Sequence, residues 1–261
     1  MTASTLDVAD VTLRYRFDGP AGAPVLVLSN SLGTTLSMWD LQVPALSRTF
    51  RVLRYDTRGH GQSERGAAPL TLETLGGDVV GLLDALAIPR AHFCGISMGA
   101  MTGQWLGVHR PQRLDRLVLA NTAARIGTAA GWIARAAQVR ADGMDGVADG
   151  AAARWFTPAF IARAPHRVAR MIARLREQER EGYAACCAAL AEADLRPGVA
   201  TISATTLVIA GDQDPVTTVA DGEWLAGAIR AATLAVVPAS HISNIEADGP
   251  FTTHLLHFLA A

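Results

Sequence analysis

The sequence contains no lysine; every one of its 23 basic residues is arginine. With 24 acidic residues the formal net charge is −1 at pH 7, so no strong global field draws the chain to nucleic acid or to an anionic membrane. Cysteine is scarce as well. The three present are Cys94, Cys186 and Cys187, two of them adjacent, and that spacing is neither a disulfide framework nor a zinc-ligand pattern. A reducing cytoplasm suits such a chain. No apolar run approaches the roughly 20 residues of a membrane span. Residues 1–7 have neither the basic segment nor the apolar core of a secretory leader. The expectation is therefore a soluble, unexported protein without nucleic-acid or membrane partners.

Apolar residues, by contrast, are plentiful: 50% of 261 residues are hydrophobic, enough for one large α/β domain. Val11, Leu13, Tyr15 and Phe17 alternate with Thr12, Arg14 and Arg16, the pattern of a half-buried strand, ended by Asp18-Gly19-Pro20. Residues 25–28 form a continuous apolar run, as expected of a central strand buried on both faces. Residues 50–55 read as the next strand. Leu72, Leu75, Val79, Leu82, Leu83 and Leu86 then fall at helical spacing. A strand at 91–95, a helix at 99–109 and a strand at 114–120 follow. After residue 197 the alternation resumes, with strands at 206–210 and 233–237 and helices at 219–229 and 250–259. Such alternation predicts an α/β fold with a mostly parallel central sheet and helices on both faces.

Residues 125–197 break the pattern. They are rich in Ala and Arg and read as helices without a buried strand. The expected organisation is a core of residues 1–124 and 198–261 with a helical cap, 125–197, inserted into it. The cap holds eleven arginines against eight acidic residues. Two readings fit that excess: solvated helices laced by i,i+4 ion pairs, or one or two arginines turned into a cleft that binds an anion.

Gly95-Ile96-Ser97-Met98-Gly99 lies between the strand at 91–95 and the helix at 99–109. The G-x-S-x-G pattern has mechanical meaning in that context. Glycines allow a tight bend and close packing, the serine stands on the turn, and the Met98 N–H lies free at a helix start, where negative charge is favoured. A serine hydroxyl is a weak nucleophile without a base, and the base needs an orienting acid. Both follow in chain order, just beyond strand ends, where sites of open α/β sheets form. Gly211-Asp212-Gln213-Asp214-Pro215 offers two acids. Asp214, deeper in the loop, is the candidate partner of the base; Asp212, beside Gly211, is the candidate turn former. His241 ends Pro238-Ala239-Ser240-His241 and is the histidine in the right order after the acid. His60, in a loop expected near the site, is its best rival. His254 and His257 lack a matching Cys or carboxylate pattern for a metal. A second oxyanion donor is expected from the loop Ser29-Asn30-Ser31-Leu32-Gly33-Thr34, with the Leu32 N–H as the candidate beside that of Met98.

Taken together, Gly95-x-Ser97-x-Gly99, the Asp214 loop, His241 and Asp56-x-Arg58-Gly59-x-Gly61-x-Ser63 make the chain resemble the α/β-hydrolase superfamily over nearly its whole length. More narrowly it is similar to the 3-oxoadipate enol-lactonases of bacterial aromatic catabolism. That likeness rests on Asn30-Ser31-Leu32-Gly33-Thr34, Met38-Trp39-Asp40, Tyr55-Asp56-Thr57-Arg58-Gly59-His60-Gly61 and the Ser97 motif, and on the segment from Ile126-Gly127-Thr128 through Trp132 to Val139-Arg140. Where the superfamily often has His-Gly, this chain has Asn30-Ser31, in agreement with the enol-lactonase subgroup. The resemblance implies an enol-lactone hydrolase of the β-ketoadipate pathway that uses Ser97, Asp214 and His241 and requires no metal or organic cofactor. Its substrate would be a small lactone carrying a carboxylate, with the basic cap as the carboxylate's partner. Trp132 and Arg135 are candidates to line the pocket, with packing or solvent as the alternatives. Two other readings stay open: a carboxylesterase or C–C bond hydrolase on the same scaffold, and a non-catalytic ligand-binding protein that keeps the fold.

Overall fold

A computed structural model of the chain describes residues 3–260. Strands β1 (Ser4–Val8), β2 (Val11–Asp18), β3 (Val25–Ser29), β4 (Arg51–Tyr55), β5 (Ala91–Ile96), β6 (Leu114–Ala120), β7 (Thr205–Gly211) and β8 (Ala232–Val237) form one sheet. Their spatial order is β1-β2-β4-β3-β5-β6-β7-β8. β1, β2 and β4 pair antiparallel; every pairing from β4 through β8 is parallel. Leu26 to Ser29 of β3 are all buried, as are Phe93 to Ile96 of β5. Successive strand side chains point to opposite faces, so both faces of the sheet centre are covered.

Helices α1 (Val43–Leu46), α2 (Leu72–Ala85) and α3 (Met98–His109) lie among the first six strands. Then α4 (Ala129–Asp142), α5 (Asp145–Asp149), α6 (Ala151–Trp155), α7 (Pro158–Arg163), α8 (Pro165–Arg176) and α9 (Arg180–Glu192) fill the connection from β6 to β7. Finally α10 (Val219–Ala228) links β7 to β8, and α11 (Ser243–Glu246) and α12 (Asp248–Ala260) follow. Local signals start several of these. The Thr71 hydroxyl caps α2 by accepting the Thr74 N–H at 3.1 Å, and Thr218 and Asp221 form a reciprocal capping box on α10. Helix α3 is buried from Met98 to Gly107, which fixes it at the sheet centre. There Gly76 of α2 meets the Trp105 ring so closely that a Cβ would overlap it.

Two features differ from the sequence pattern. β1 was not signalled, because only its last residue, Val8, is buried; it is a strand through its backbone pairing with β2, from Ser4↔Tyr15 to Val8↔Val11. The arginine–acid pairs of the inserted helices also differ from an i,i+4 ladder. Arg176 of α8 reaches Asp145 of α5 at 2.8 Å and also Asp149, and Arg140 of α4 reaches Glu181 of α9 at 3.1 Å, so these charges link separate helices. Among the described residues, no helix is long and apolar enough to cross a membrane.

Candidate active site

β5 runs into α3 through Ser97, whose backbone (φ 57°, ψ −117°) sits in a region that non-glycine residues rarely adopt. The strain is held by packing. A Cβ on Gly95 would overlap the Gly99 carbonyl, and a Cβ on Gly99 would overlap the Ser29 carbonyl of β3. Both glycines are thus required by contact, the bend closing on itself and the start of α3 pressing against β3. The Ser97 N–H donates to the Ala120 carbonyl at 2.9 Å, tying the bend to β6. Met98 is the first residue of α3, so its N–H has no acceptor inside the helix. Across the cavity, the Leu32 N–H donates to no protein acceptor among the described residues.

His241 follows β8, and its Nδ1 donates to Asp214 Oδ2 at 2.8 Å, with both side chains buried. That bond leaves Nε2 as the free base. Asp214 follows β7 and is densely solvated by protein. Its Oδ2 also accepts from Asn121 Nδ2 at 3.0 Å and from the Thr217 hydroxyl at 2.8 Å, and its Oδ1 accepts the N–H groups of Val216 (2.7 Å) and Thr217 (3.1 Å). Burial alone would raise its pKa, but the hydrogen bond and charge of His241, with Asn121 and Thr217, outweigh it and hold the carboxyl below its ordinary value. Asp212 points elsewhere and accepts the Ala239 N–H at 3.0 Å, a bond that shapes the loop before His241. The same loop is braced by Glu246, which accepts the Ser240 N–H at 2.9 Å and the Thr157 hydroxyl.

One cavity is lined by Ser97, His241 and Leu32 together with Trp132, Arg135, Arg154 and Tyr183 of the inserted helices. Trp132 is fixed by its Nε1, which donates to the Ile126 carbonyl at 2.6 Å, and the Arg135 guanidinium lies 5.0 Å from the centre of its ring. Arg154 donates to the Val147 carbonyl at 2.6 Å. Its pKa is lowered by burial and then by the charge of Arg135. Among the described residues neither arginine pairs with a carboxylate; the ion pairs of this segment use Arg125, Arg140, Arg176 and Arg196. A larger cavity of about 190 Å³ borders the same loop at Gly33, yet none of Ser97, Asp214 or His241 lines it.

Sequence reasoning missed Asn121, Arg154 and Tyr183. Asn121 follows β6 with φ 43°, an αL position that Asn tolerates, and nothing local marks it as the partner of a residue 93 positions away. For Arg154 the signal was only the arginine excess of its segment. His60 does not line the cavity; it accepts the Gly33 N–H through Nε2 at 3.0 Å.

A family model of the alpha/beta hydrolase fold matches residues 24–160. The chain belongs to the α/β-hydrolase family. Within it, the 3-oxoadipate enol-lactonase 2 of Acinetobacter baylyi is 52% identical over 247 residues, which cover 95% of this chain and 92% of that protein. The 3-oxoadipate enol-lactonase 1 of the same organism is 46% identical, over 92% of this chain and 90% of its own. The crystal structure of the enol-lactonase from Burkholderia xenovorans LB400 superposes on this α/β-hydrolase with a TM-score of 0.97 at 48% identity, covering 99% and 100% of the two chains.

Proposed function

We propose that this α/β-hydrolase is a carboxylic ester hydrolase that opens 3-oxoadipate enol-lactone, a five-membered lactone bearing a carboxymethyl group, to 3-oxoadipate in the β-ketoadipate pathway. One observation carries the reading: Ser97 and His241 share their cavity with two arginines, Arg135 and Arg154, that pair with no carboxylate among the described residues. A carboxylate bound between them satisfies both cations, of which Arg154 is depressed first by burial and then by the charge of Arg135. The likeness to enol-lactonases over nearly the whole chain supports the same substrate.

In this reading Ser97 Oγ attacks the lactone carbonyl while His241 Nε2 takes its proton, and Asp214 orients His241 and stabilises its charged form. The oxyanion forms between the N–H groups of Leu32 and Met98; each such donor is worth about 2.7–4 kcal/mol in the transition state. The ring C–O bond then breaks and His241 protonates the departing enolate. The enol stays tethered through the acyl chain and tautomerises to the ketone. His241 next takes a proton from water, the hydroxide attacks the acyl-enzyme, and 3-oxoadipate leaves as Ser97 recovers its proton. Residues 1–124 and 198–261 serve as the catalytic core. Residues 125–197 act as a cap that supplies Trp132 and Arg135 to the substrate, in a reducing cytoplasm where the three buried thiols stay free.

The test is the loss of enol-lactone absorbance on adding purified enzyme, with 3-oxoadipate as product and no turnover by Ser97→Ala. Hydrolysis of neutral esters without lactone turnover would assign another esterase. A folded wild type that neither turns over nor takes a fluorophosphonate label would make the chain a binding protein.

A further inference from the structure

His60 is a buried titratable side chain, 1% exposed, with no part in the chemistry above. Its surroundings determine its protonation. Nδ1 lies 3.4 Å from the Arg58 carbonyl and Nε2 lies 3.0 Å from the Gly33 nitrogen. A carbonyl only accepts and a backbone N–H only donates. Nδ1 therefore carries the proton and Nε2 is a bare acceptor, so the imidazole is neutral. Burial lowers its pKa in the same direction, against the Arg58 carbonyl and the carboxylates of Asp56 and Glu179.

The N–H it accepts belongs to the loop that carries Leu32. Ser31 to Thr34 form a turn closed by the Thr34 N–H donating to the Ser31 carbonyl at 3.1 Å. Gly33, at its third position, has φ +79°, while Leu32 has no positive φ; this is a type II turn. The central Leu32–Gly33 peptide is its soft element, and His60 is what holds it. On the other side Gly33 has no room to move, since a Cβ would overlap the Leu175 methyl and meet the Tyr183 ring at 3.1 Å. The loop ends are fastened by the same elements: Asn30 Nδ2 donates to the Tyr55 carbonyl at 2.7 Å, and the Leu36 N–H donates to Asp56 Oδ1 at 2.7 Å.

We infer that His60 is a positioning residue for the reaction: by accepting the Gly33 N–H it locks the Ser31–Thr34 turn so that the Leu32 N–H faces the developing oxyanion. The inference rests on the proposed oxyanion role of Leu32. Removing the acceptor leaves the Gly33 N–H unpaired in a buried site, and the turn relaxes to find another partner.

His60→Leu removes the acceptor and His60→Gln supplies an amide oxygen at a similar reach. Expected for His60→Leu is a fall in kcat of roughly 10–100-fold, part of the 10²–10³ that loss of a whole donor costs. KM should stay within about threefold, as for an interaction made only in the transition state. His60→Gln should regain most of the rate. The same split is expected with 4-nitrophenyl acetate, so failure of the lactone assignment leaves this test intact. Nitrogen-15 NMR of the wild type should show the Nδ1–H tautomer of His60 and a trans-hydrogen-bond coupling from the Gly33 amide to Nε2. A folded His60→Leu enzyme within twofold of wild type, equal losses in the Leu and Gln variants, a loss confined to KM, or an Nε2–H tautomer would each overturn the inference. If His60→Leu fails to fold, the Gln variant and the NMR measurement decide.

Discussion

Asp214 grips His241 through one oxygen, Oδ2, at 2.8 Å, while its other oxygen is taken up by the Val216 and Thr217 N–H groups. The carboxylate is thereby locked in one rotation, and an amide in its place must present either an oxygen or an NH₂ group to Nδ1. Oδ2 also meets Asn121 Nδ2 and the Thr217 hydroxyl, but that hydroxyl can rotate and His241 can change tautomer, whereas the two backbone donors at Oδ1 are fixed. The amide oxygen of Asp214→Asn will therefore take the Oδ1 side and its NH₂ will face His241. That reverses the tautomer and turns Nε2 into a donor. The expected loss in kcat is on the order of 10⁴-fold, as for the same change in a serine-protease triad, with the fold retained by circular dichroism. Asp212→Asn is the matched control. Its Oδ1 accepts the Ala239 N–H at 3.0 Å and the Gln213 side-chain amide at 3.5 Å, donors that an amide oxygen also accepts, so kcat should stay within a few-fold.

The acid limb of stability follows from the same carboxylate and from Asp10. Asp214 is held below its ordinary pKa in the fold. Asp10 is held at about 2 by the Ala68 N–H, and then, against burial, by Arg58 and the Ala67 N–H. A group whose folded pKa lies below its unfolded value, about 3.9 for Asp, stabilises the fold fully above the unfolded value and loses that contribution as pH falls through the folded one. Urea midpoints of the wild type should therefore decline from about pH 4 downwards. Asp10→Asn and Asp214→Asn should each flatten that slope and leave little difference from wild type near the bottom of the window. A slope unchanged in both variants would remove these two groups as its source.

How far the sequence reaches depends on the range of the interaction. Ser97 was legible because its determinants, Gly95 and Gly99, are two residues away on either side. Asp214 and His241 were legible because strand ends are readable from apolar runs. Trp132 and Arg135 could be named only through resemblance, since the faces of α4 are decided by its packing on α9. Arg154 could not be singled out from the other arginines of its segment because the orientation of α6 depends on α8 and on the Trp155 carbonyl, which accepts the Ile242 N–H at 3.1 Å. β1 escaped for a different reason: an exposed edge strand needs no apolar alternation when its neighbour supplies the hydrogen bonds.

Gly182 shows how the inserted helices are seated. It lies in the first turn of α9, and a Cβ there would overlap the Gly59 carbonyl and meet its Cα at 2.5 Å. Backbone cannot rotate away as a side chain can. Gly182→Ala should therefore destabilise by about 1–3 kcal/mol, the usual cost of overpacking, and lower kcat/KM as α9 carries Tyr183 away from the cavity. Gly77, in the middle of α2, is exposed and nothing lies within 4 Å of its Cβ position. Gly77→Ala should instead stabilise by about 0.5–1 kcal/mol through helix propensity alone. Chemical denaturation of the two variants reads both signs.

Arg135 and Arg154 separate substrate recognition from chemistry. Neither contacts the reacting carbonyl in the proposed arrangement; both address the distant carboxylate. Methionine keeps the length and apolar stem of each side chain while removing the charge, so Arg135→Met and Arg154→Met test the charge itself. A hydrogen bond to a charged group contributes about 1.5–3 kcal/mol, so each variant should lose roughly 10–100-fold in kcat/KM on the carboxylate-bearing lactone. Hydrolysis of 4-nitrophenyl acetate, which has no carboxylate, should stay within a few-fold. Because the two cations share one anion and repel each other without it, their effects should not add; the double variant should lose less than the product of the single losses. Equal losses on charged and neutral esters would show instead that these arginines hold the inserted helices in place, and would move carboxylate recognition elsewhere in the cavity.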